Sequence, residues 1–307
     1  MDTPVALIVF NRPAHTARVF EAVRAARPRT LFVVADGPRP DRPADAEACR
    51  AVRALIDRID WPCDLVRIYS EENLGCRVRV GGGITEVFRH VESCIILEDD
   101  CLPDQTFFPY CRELLERYAD RPEVMVVSGC GLTNALGGLT FPASYYFTRY
   151  VHIWGWATWR RAWAHFDGQM RQWPALKEQG FPGREIGSFQ DRLFWRLWFQ
   201  MCHDGRLNTW DIAWVMNCWA AGGLAICPDR NLVSNIGIDG SGTNFNRRSP
   251  FASVPTRSMD FPLAHPAEIR PDRAADRWTQ KFCFTGPPRR RFKRFMRYLK
   301  HGDMAIA

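Results

Sequence analysis

The sequence predicts an α/β protein whose mostly parallel sheet is flanked by helices. Short apolar runs alternate along the chain with segments in which apolar residues recur at helical spacing. Several of these runs end in polar residues, and open α/β sheets bind their ligands at the carboxyl ends of the strands. With 307 residues and 46% hydrophobic content, the chain can also bury a sizeable core.

The predicted elements follow one another in a regular order. A buried strand at 5–10 precedes a helix at 15–25. The further predictions are strands at 31–35, 65–69 and 124–128, a helix that ends near 91, a strand that ends at Glu98, and a helix at 107–118. The run Gly81, Gly82 and Gly83 predicts a bend before the helix that ends near 91.

The most informative segment is 94–103, in which an apolar run ends in Glu98, Asp99 and Asp100. Three adjacent carboxylates repel one another unless a cation or hydrogen-bond donors compensate their charge. Mg²⁺ and Mn²⁺ suit such oxygen ligands, and Mg²⁺ usually takes one or two carboxylates together with substrate phosphates. The alternative interpretation is a solvated acidic turn, in which Asp104 caps the next helix.

Seven segments, taken together, resemble a known group of enzymes. They are PVALIVFNRP (4–13), VVADGP (33–38), ENLGC (72–76), ILEDDCLPD (96–104), WGWATW (154–159), TWDIAW (209–214) and SNIGIDGSGTN (234–244). Their order and spacing resemble the nucleotide-sugar glycosyltransferases of the GT-A fold, especially the bacterial family 2 type. Around 36–37 and 98–100 the chain is also similar to N-acetylglucosaminyltransferase I. The resemblance covers about 4–245, and it implies a Rossmann-like catalytic domain, a nucleotide-sugar donor, a glycan or lipid-linked acceptor, and Mn²⁺ or Mg²⁺.

The resemblance and the local chemistry together suggest which residues bind the donor. These candidates are Asn11, Arg12, Asp36, Asn73, Gly75, Arg77, Glu98, Asp99, Trp154, Gly155 and Trp156. By resemblance, Asp100 would bind the metal directly, Asp99 would act through the ribose or a metal-bound water, and Glu98 would support them. Relatives often place a histidine in a C-terminal loop as a further metal ligand, whereas 234–246 contains none.

Several of these candidates also have a purely structural interpretation. The segment 11–13 can simply end a strand and open a helix, because Pro13 is tolerated in a first turn. A lone aspartate such as Asp36 in a turn is often structural. The arginine at 77 beside a glycine-relieved backbone suits a diphosphate, but it can equally belong to a solvated face.

Asp211 is the predicted general base of an inverting transferase, since one carboxylate suffices to take the acceptor proton. Aromatic neighbours would raise its pKa. Asp191 and Asp239 are its rivals. Ten of the twelve tryptophans fall between 145 and 219, and this excess predicts an aromatic-rich acceptor half, although the helical spacing of Trp195 and Trp198 predicts core positions.

The chain carries a formal charge of +7, and 289–300 (RRRFKRFMRYLK) contains seven basic residues beside an apolar stripe. Such a segment suits an anionic membrane surface, although a solvated tail fits the pattern equally. We therefore predict a catalytic domain at 1–285, with a nucleotide-binding half at 1–130 and an acceptor-binding half at 131–285, followed by a basic tail at 286–307.

The absence of a signal-peptide pattern and the scattered cysteines favour a reducing cytoplasm, with possible attachment at the inner membrane face. Two other functions remain open. A sugar-1-phosphate nucleotidyltransferase would share the architecture and the metal, but it would normally carry a glycine-rich basic loop after its first strand. Nucleic-acid binding is disfavoured, because the basic charge is terminal and is not spread over one face of the domain.

Overall fold

The computed structural model describes residues 1–183, 186–238, 250–251 and 253–286. The strands in these residues are β1 (Val5–Val9), β2 (Thr30–Ala35), β3 (Asp64–Tyr69), β4 (Ser93–Glu98), β5 (Cys101–Pro103), β6 (Val124–Ser128), β7 (Tyr145–Thr148), β8 (Trp156–Trp159), β9 (Leu224–Pro228) and β10 (Val233–Asn235). The helices are α1 (Pro13–Ala26), α2 (Pro43–Ile56), α3 (Gly75–His90), α4 (Phe107–Arg117), α5 (Leu132–Gly137), α6 (Arg160–Trp163), α7 (Trp173–Glu178), α8 (Phe189–His203), α9 (Asp211–Ala220) and α10 (Arg273–Thr279), and a π-helical turn follows at Gln280–Thr285.

Eight strands form one mixed sheet in the order β3-β2-β1-β4-β8-β6-β9-β7. Strands β8 and β7 run antiparallel to their neighbours, and the other six strands share one direction. Strands β5 and β10 form a separate antiparallel pair. The predicted α/β class with a mostly parallel, helix-flanked sheet is therefore confirmed.

The order β3-β2-β1-β4 is that of a Rossmann-type half, and the strand order reverses between β1 and β4. At such a reversal the connections leave the sheet on opposite sides, and a crevice opens at the carboxyl ends of the two strands. Residue Ile8 of β1 pairs with Glu98 of β4, so the segments that follow both strands enter this crevice together.

The predicted bend at the three glycines is wrong, because Gly81, Gly82 and Gly83 lie inside α3. A Cβ atom at Gly83 would overlap the Val34 side chain of β2, and one at Gly81 would lie 2.8 Å from the Phe166 ring. The glycines therefore allow the helix to pack closely on its neighbours. Helix α2, strand β5 and most elements after β6 were not predicted, whereas the strands and helices that were predicted agree closely with those observed.

The tryptophan-rich region is mainly a core. Trp156, Trp173, Trp195, Trp210 and Trp214 are fully buried. The rings of Trp156 and Trp210 are stacked, with centroids 5.6 Å apart and planes 20° apart. This corrects the prediction that the tryptophan excess serves the acceptor, but it confirms the predicted core positions of Trp195 and Trp198.

Hydrogen bonds join α10 to the end of β7 and the π-helical turn to α8. Asp276 accepts hydrogen bonds from Thr148 Oγ1 (2.6 Å) and Arg149 Nη1 (3.1 Å), and Gln280 Oε1 accepts one from Trp195 Nε1 (2.8 Å). The predicted basic tail lies outside the described residues apart from its first position, and so does 239–249 of the glycine-rich loop. In the described part of the chain, no helix is long and apolar enough to cross a membrane.

Substitution of two neighbouring glycines in α3 tests the close packing of this helix. We expect Gly83→Ala to lower the free energy of unfolding by about 1–3 kcal/mol, because the new methyl group overlaps buried Val34. Gly82→Ala is the matched control: no atom lies within 4 Å of its Cβ position, so it should stabilise the helix by about 0.5–1 kcal/mol. Urea unfolding measures both changes, and equal effects of the two substitutions would contradict the packing argument.

His152 gives the fold a dependence on pH. Burial lowers the pKa of His152 to about 4, and its ring stacks on Phe284 of the π-helical turn. The unfolded chain binds this proton near pH 6.5, so the folded state loses stability as the pH falls from about 6.5 to about 4, by at most about 3 kcal/mol. Chemical unfolding at several pH values should show a smaller loss for His152→Phe. Substitution of the exposed His90 by Gln is the control and should leave the loss of stability in acid unchanged. If His152→Phe lost as much stability in acid as the wild type, His152 would not be the source of the pH dependence.

Candidate active site at the carboxyl ends of β1 and β4

The three predicted carboxylates lie in the crevice where the strand order reverses. Arg12, which follows β1, donates from Nη1 to Asp100 Oδ2 at 2.8 Å, and the same nitrogen lies 3.8 Å from Asp99 Oδ1. The main-chain N–H of Phe10 donates to Asp99 Oδ2 (3.2 Å). The carboxylate of Glu98 accepts no hydrogen bond from any of the described residues. One guanidinium thus faces three adjacent carboxylates.

Charge repulsion in this crevice changes the acidity of its carboxyl groups. Burial raises the pKa of Glu98 well above its ordinary value, and Asp100, Asp99 and Asp211 raise it further. Burial and then Asp100 raise the pKa of Asp99 to about 7. Burial opposes the charged form of Arg12, but Asp99 and Asp100 outweigh it and raise the pKa of Arg12. The crevice therefore favours the entry of a further cation or a proton.

Asp100 is also held by a segment from the distant C-terminal part of the chain. Ile236, which follows β10, donates its N–H to the Asp100 carbonyl at 2.8 Å. Gly237 lies so close that a Cβ atom there would overlap the Asp100 carboxylate. His15 Nε2 lies 3.2 Å from the Ile236 carbonyl. The described part of this segment, 234–238, thus forms one wall of the site, a contact that was not predicted although the motif itself was noted.

The predicted base, Asp211, begins α9 and is half-buried. Its Oδ1 accepts hydrogen bonds from Thr209 Oγ1 and from the N–H of Ile212 (2.8 Å). Burial raises the pKa of Asp211, and Asp211 in turn raises the pKa of Glu98. The charges of the two carboxyl groups therefore interact.

The carboxylates of the site also act on Cys76, which was not among the predicted site residues. Its side chain is exposed, in the first turn of α3. Desolvation by the cleft walls raises the pKa of the Cys76 thiol, and the nearby carboxylates of Glu98 and Asp211, followed by those of Asp36 and Asp100, raise it further. The thiol is thus kept protonated at neutral pH. A cysteine placed directly after the helix-opening Gly75 was the available signal.

Three predicted donor-binding residues hydrogen-bond to one another at the start of α3. Asp36 accepts hydrogen bonds from the N–H groups of Leu74 and Gly75, both at 2.9 Å, and from Asn73 Nδ2 at 3.2 Å. Asn73 Nδ2 also donates to the Gly37 carbonyl (2.8 Å), and Gly75 has a positive φ of 75°. These contacts give Asp36, Asn73 and Gly75 a structural role, in which both carboxylate oxygens of Asp36 are already engaged.

The guanidinium of Arg77 is hydrogen-bonded to main-chain carbonyls, so it is not free for the predicted diphosphate contact. Its Nε and Nη2 donate to the Gly168 carbonyl (3.0 and 2.6 Å), and its Nη1 donates to the Cys202 carbonyl (2.9 Å). The three guanidinium nitrogens thereby join α3 to the turn at Gly168 and to the end of α8. The glycine-relieved backbone before it suggested a ligand, but the partners of Arg77 are main-chain carbonyls distant in sequence.

Asn11 lies after β1, as predicted, but its amide already has a partner. Asn11 Nδ2 donates to Asp45 Oδ1 of α2 at 2.7 Å, and Arg39 Nε donates to Asp45 Oδ2 at 2.6 Å. The Arg39 contact lowers the pKa of Asp45 to about 2 against the effect of burial, and the Asn11 amide lowers it further. The Arg39 guanidinium lies 5.4 Å from the centre of the Phe10 ring. Arg39 and Asp45 were not predicted, because α2 itself was missed.

The segment 154–156 contributes less to the site than predicted. Trp156 is fully buried in β8, so it cannot stack on a sugar in this structure. Gly155 has a φ of 63°, and a Cβ atom there would lie 2.6 Å from Val233, so packing against β10 explains the glycine. Trp154 is half-buried, with its ring 6.1 Å from that of Phe251. Only Trp154 keeps a partly exposed aromatic face in this segment.

The carboxylate cluster fits a divalent cation only in part. Within the described ranges, no group of three or more His, Cys, Asp or Glu side chains is arranged to hold a metal ion. Asp100, with Asp99 beside it, offers hard oxygen atoms, and Mg²⁺ needs no more than one or two protein carboxylates when substrate phosphates complete its shell. These residues therefore suit a cation that arrives with phosphate better than a permanently bound one.

Comparisons with known proteins give only distant similarities. No family model and no curated protein matches the sequence. Among solved structures, the chain is similar to the galactosyltransferase LgtC with donor and acceptor sugar analogues (12% identity, 57% of this chain and 64% of that chain, TM-score 0.35). It is also similar to an active-site mutant of LgtC (12%, 93% and 98%, 0.42) and to UDP-glucose pyrophosphorylase complexed with UDP-glucose (10%, 74% and 90%, 0.35). These similarities do not decide between the two kinds of enzyme.

Proposed function

We propose that this protein is a glycosyltransferase that takes a sugar from a nucleotide-sugar donor. The single observation that carries the proposal is the cluster of Glu98, Asp99 and Asp100 at the strand-order reversal, with Arg12 and Asp211 in the same cleft. A nucleoside diphosphate can bind beside carboxylates only when positive charge separates the two. Arg12 and a divalent cation would supply that charge. The proposal also includes a resemblance of the acidic segment to that of N-acetylglucosaminyltransferase I.

In this proposal Asp100, together with Asp99, holds Mn²⁺ or Mg²⁺ on the diphosphate. When bound, the cation stabilises the negative charge of the departing nucleoside diphosphate. Arg12 and Asn11, at the end of β1, would lie beside the diphosphate and the base, and Trp154 would lie near the donor sugar. The acceptor is a glycan or a lipid-linked saccharide.

Asp211 is the proposed general base, and the transfer would then invert the anomeric centre. Its raised pKa brings it closer to the range in which a carboxylate accepts a proton efficiently at neutral pH. Its charge acts on Glu98, and in this proposal the donor sugar lies beside both carboxyl groups. The alternative base is Glu98, whose pKa is raised even more clearly by its carboxylate neighbours.

The sugar-1-phosphate nucleotidyltransferase alternative is less well supported. Loops that bind a triphosphate offer several free main-chain N–H groups at a helix N-terminus. Here the first position of α1 is Pro13, which lacks an N–H. Product analysis separates the two functions: a transferase releases the nucleoside diphosphate, whereas a nucleotidyltransferase supplied with pyrophosphate forms the triphosphate and a sugar 1-phosphate.

Binding of nucleoside diphosphates tests the donor site. We expect UDP or GDP to raise the melting temperature of the wild type more with Mn²⁺ than without it, since a ligand at a hundredfold its dissociation constant stabilises by about 2.7 kcal/mol. Asp100→Ala should lose the Mn²⁺-dependent part of this shift. The exposed Asp57→Ala should keep it. An unchanged Mn²⁺-dependent shift in Asp100→Ala would show that Asp100 is not the metal ligand.

Turnover tests the base. We expect Asp211→Asn to bind the donor normally but to lower sugar transfer, to acceptor or to water, by roughly 10²–10⁴-fold, the contribution of a general base. Glu98→Gln is the comparison, because its carboxyl group lies in the same cleft. A large loss in Glu98→Gln with full turnover in Asp211→Asn would transfer the role of base to Glu98.

A further inference from the structure

Arg12 occupies the side of Asp100 that a divalent cation would need. Its Nη1 is 2.8 Å from Asp100 Oδ2 and 3.8 Å from Asp99 Oδ1. The side chains are largely shielded from water, with exposures of 21% for Arg12, 18% for Asp100 and 11% for Asp99. Charges in such a place are screened less than at the surface, so the pair is stronger than an ordinary surface salt bridge.

We propose that Arg12 couples the binding of the divalent cation to the binding of the nucleoside diphosphate. In the free protein Arg12 neutralises Asp100 and thereby weakens its affinity for the cation. When the diphosphate binds, the guanidinium moves to the phosphates and Asp100 becomes available. This inference rests on the proposed function and assigns Arg12 a role in the order of binding.

The proposal follows from charge balance at a single oxygen atom. A cation on Asp100 Oδ2 would repel the guanidinium that already donates to it, so either the pair opens or the cation binds weakly. Opening the pair without a new partner leaves a partly buried charge uncompensated, which is costly. A diphosphate removes this cost, because its oxygens accept the parallel N–H groups of a guanidinium.

The local backbone lets the side chain move while its anchor stays fixed. The Arg12 carbonyl accepts hydrogen bonds from Thr16 N (2.9 Å) and Thr16 Oγ1 (2.8 Å), which fix its main chain at the start of α1. The flexible side chain therefore needs only a change of rotamer to leave Asp100. Among the described residues, no other ion pair reaches Asp99 or Asp100, so none of the described arginines or lysines takes over this task.

Thermodynamic reciprocity makes the proposal measurable. If a nucleoside diphosphate raises the affinity for the cation by some factor, the cation must raise the affinity for the nucleoside diphosphate by the same factor. Removing the guanidinium should reduce this coupling in two ways at once. The cation should bind more tightly by itself, and the nucleotide should add less to its affinity than in the wild type.

The experiment measures Mn²⁺ binding by electron paramagnetic resonance of the free ion, which does not depend on activity. With Mn²⁺ alone, Arg12→Met should bind about tenfold more tightly than the wild type, whereas Arg12→Lys, which keeps the charge, should stay close to the wild type. Arg149→Met is the matched control, because Arg149 forms a similar partly buried pair with Asp276 elsewhere in the fold. The double variant Arg12→Met with Asp100→Ala should lose the gained affinity.

The second arm adds UDP or GDP. The wild type should then bind Mn²⁺ about tenfold more tightly than without nucleotide, and Arg12→Met should show a smaller gain, because only the direct contact of the cation with the phosphates remains. Equal affinity of the wild type and Arg12→Met for Mn²⁺ alone, combined with a nucleotide effect in the wild type, would overturn this inference and leave the proposed function standing. No response of the wild type to either nucleotide would overturn the coupling and count against the proposed function as well.

Discussion

The charge balance at the end of β4 is the constraint on which the rest of the site depends. Three successive residues carry carboxylates, and the strand places them where the sheet shields them from water. The compensating guanidinium comes from the end of β1, 88 residues away in sequence from Asp100. The two meet because β1 and β4 are neighbouring parallel strands in register. The pairing of β1 with β4 thus brings Arg12 to Asp100. The segment after β10 approaches Asp100 as well, and Gly237 leaves space there for the carboxylate.

The polar residues around the cleft fall into two groups. Asp36 and Arg77 use their polar atoms on main-chain groups of the protein, so they hold the walls in place. Glu98, Asp99 and Asp211 instead lie where their negative charge is unfavourable. Burial raises the pKa values of all three, and for Glu98 and Asp99 repulsion by neighbouring carboxylates raises them further. Charges that the fold does not neutralise are characteristic of binding and catalytic sites, although structural networks can also produce them.

The sequence could predict elements and strand ends, because periodicity and apolar runs are local properties. It could not predict partners. Gly83 was read as a bend because its reason for being glycine, Val34, lies on another strand. Asp36 and Arg77 were placed on the donor because their real partners lie 37 to 39 and 91 to 125 residues away. Position at a strand end indicates that a side chain enters the crevice region, and only the tertiary structure decides whether its polar atoms remain available.

The buried tryptophans support the proposed site through packing, without lining it. Trp210 directly precedes Asp211 and stacks on Trp156, whose strand β8 pairs with β4 at Ile96. Strand β4 ends two residues later at Glu98. A continuous path of buried rings and sheet hydrogen bonds therefore connects the proposed base with the carboxylate cluster. Fully buried indoles have little freedom to move, and an active site must hold its groups within about 0.5 Å. The aromatic core thus fixes the distance between Asp211 and the proposed cation site, across which a sugar would be transferred.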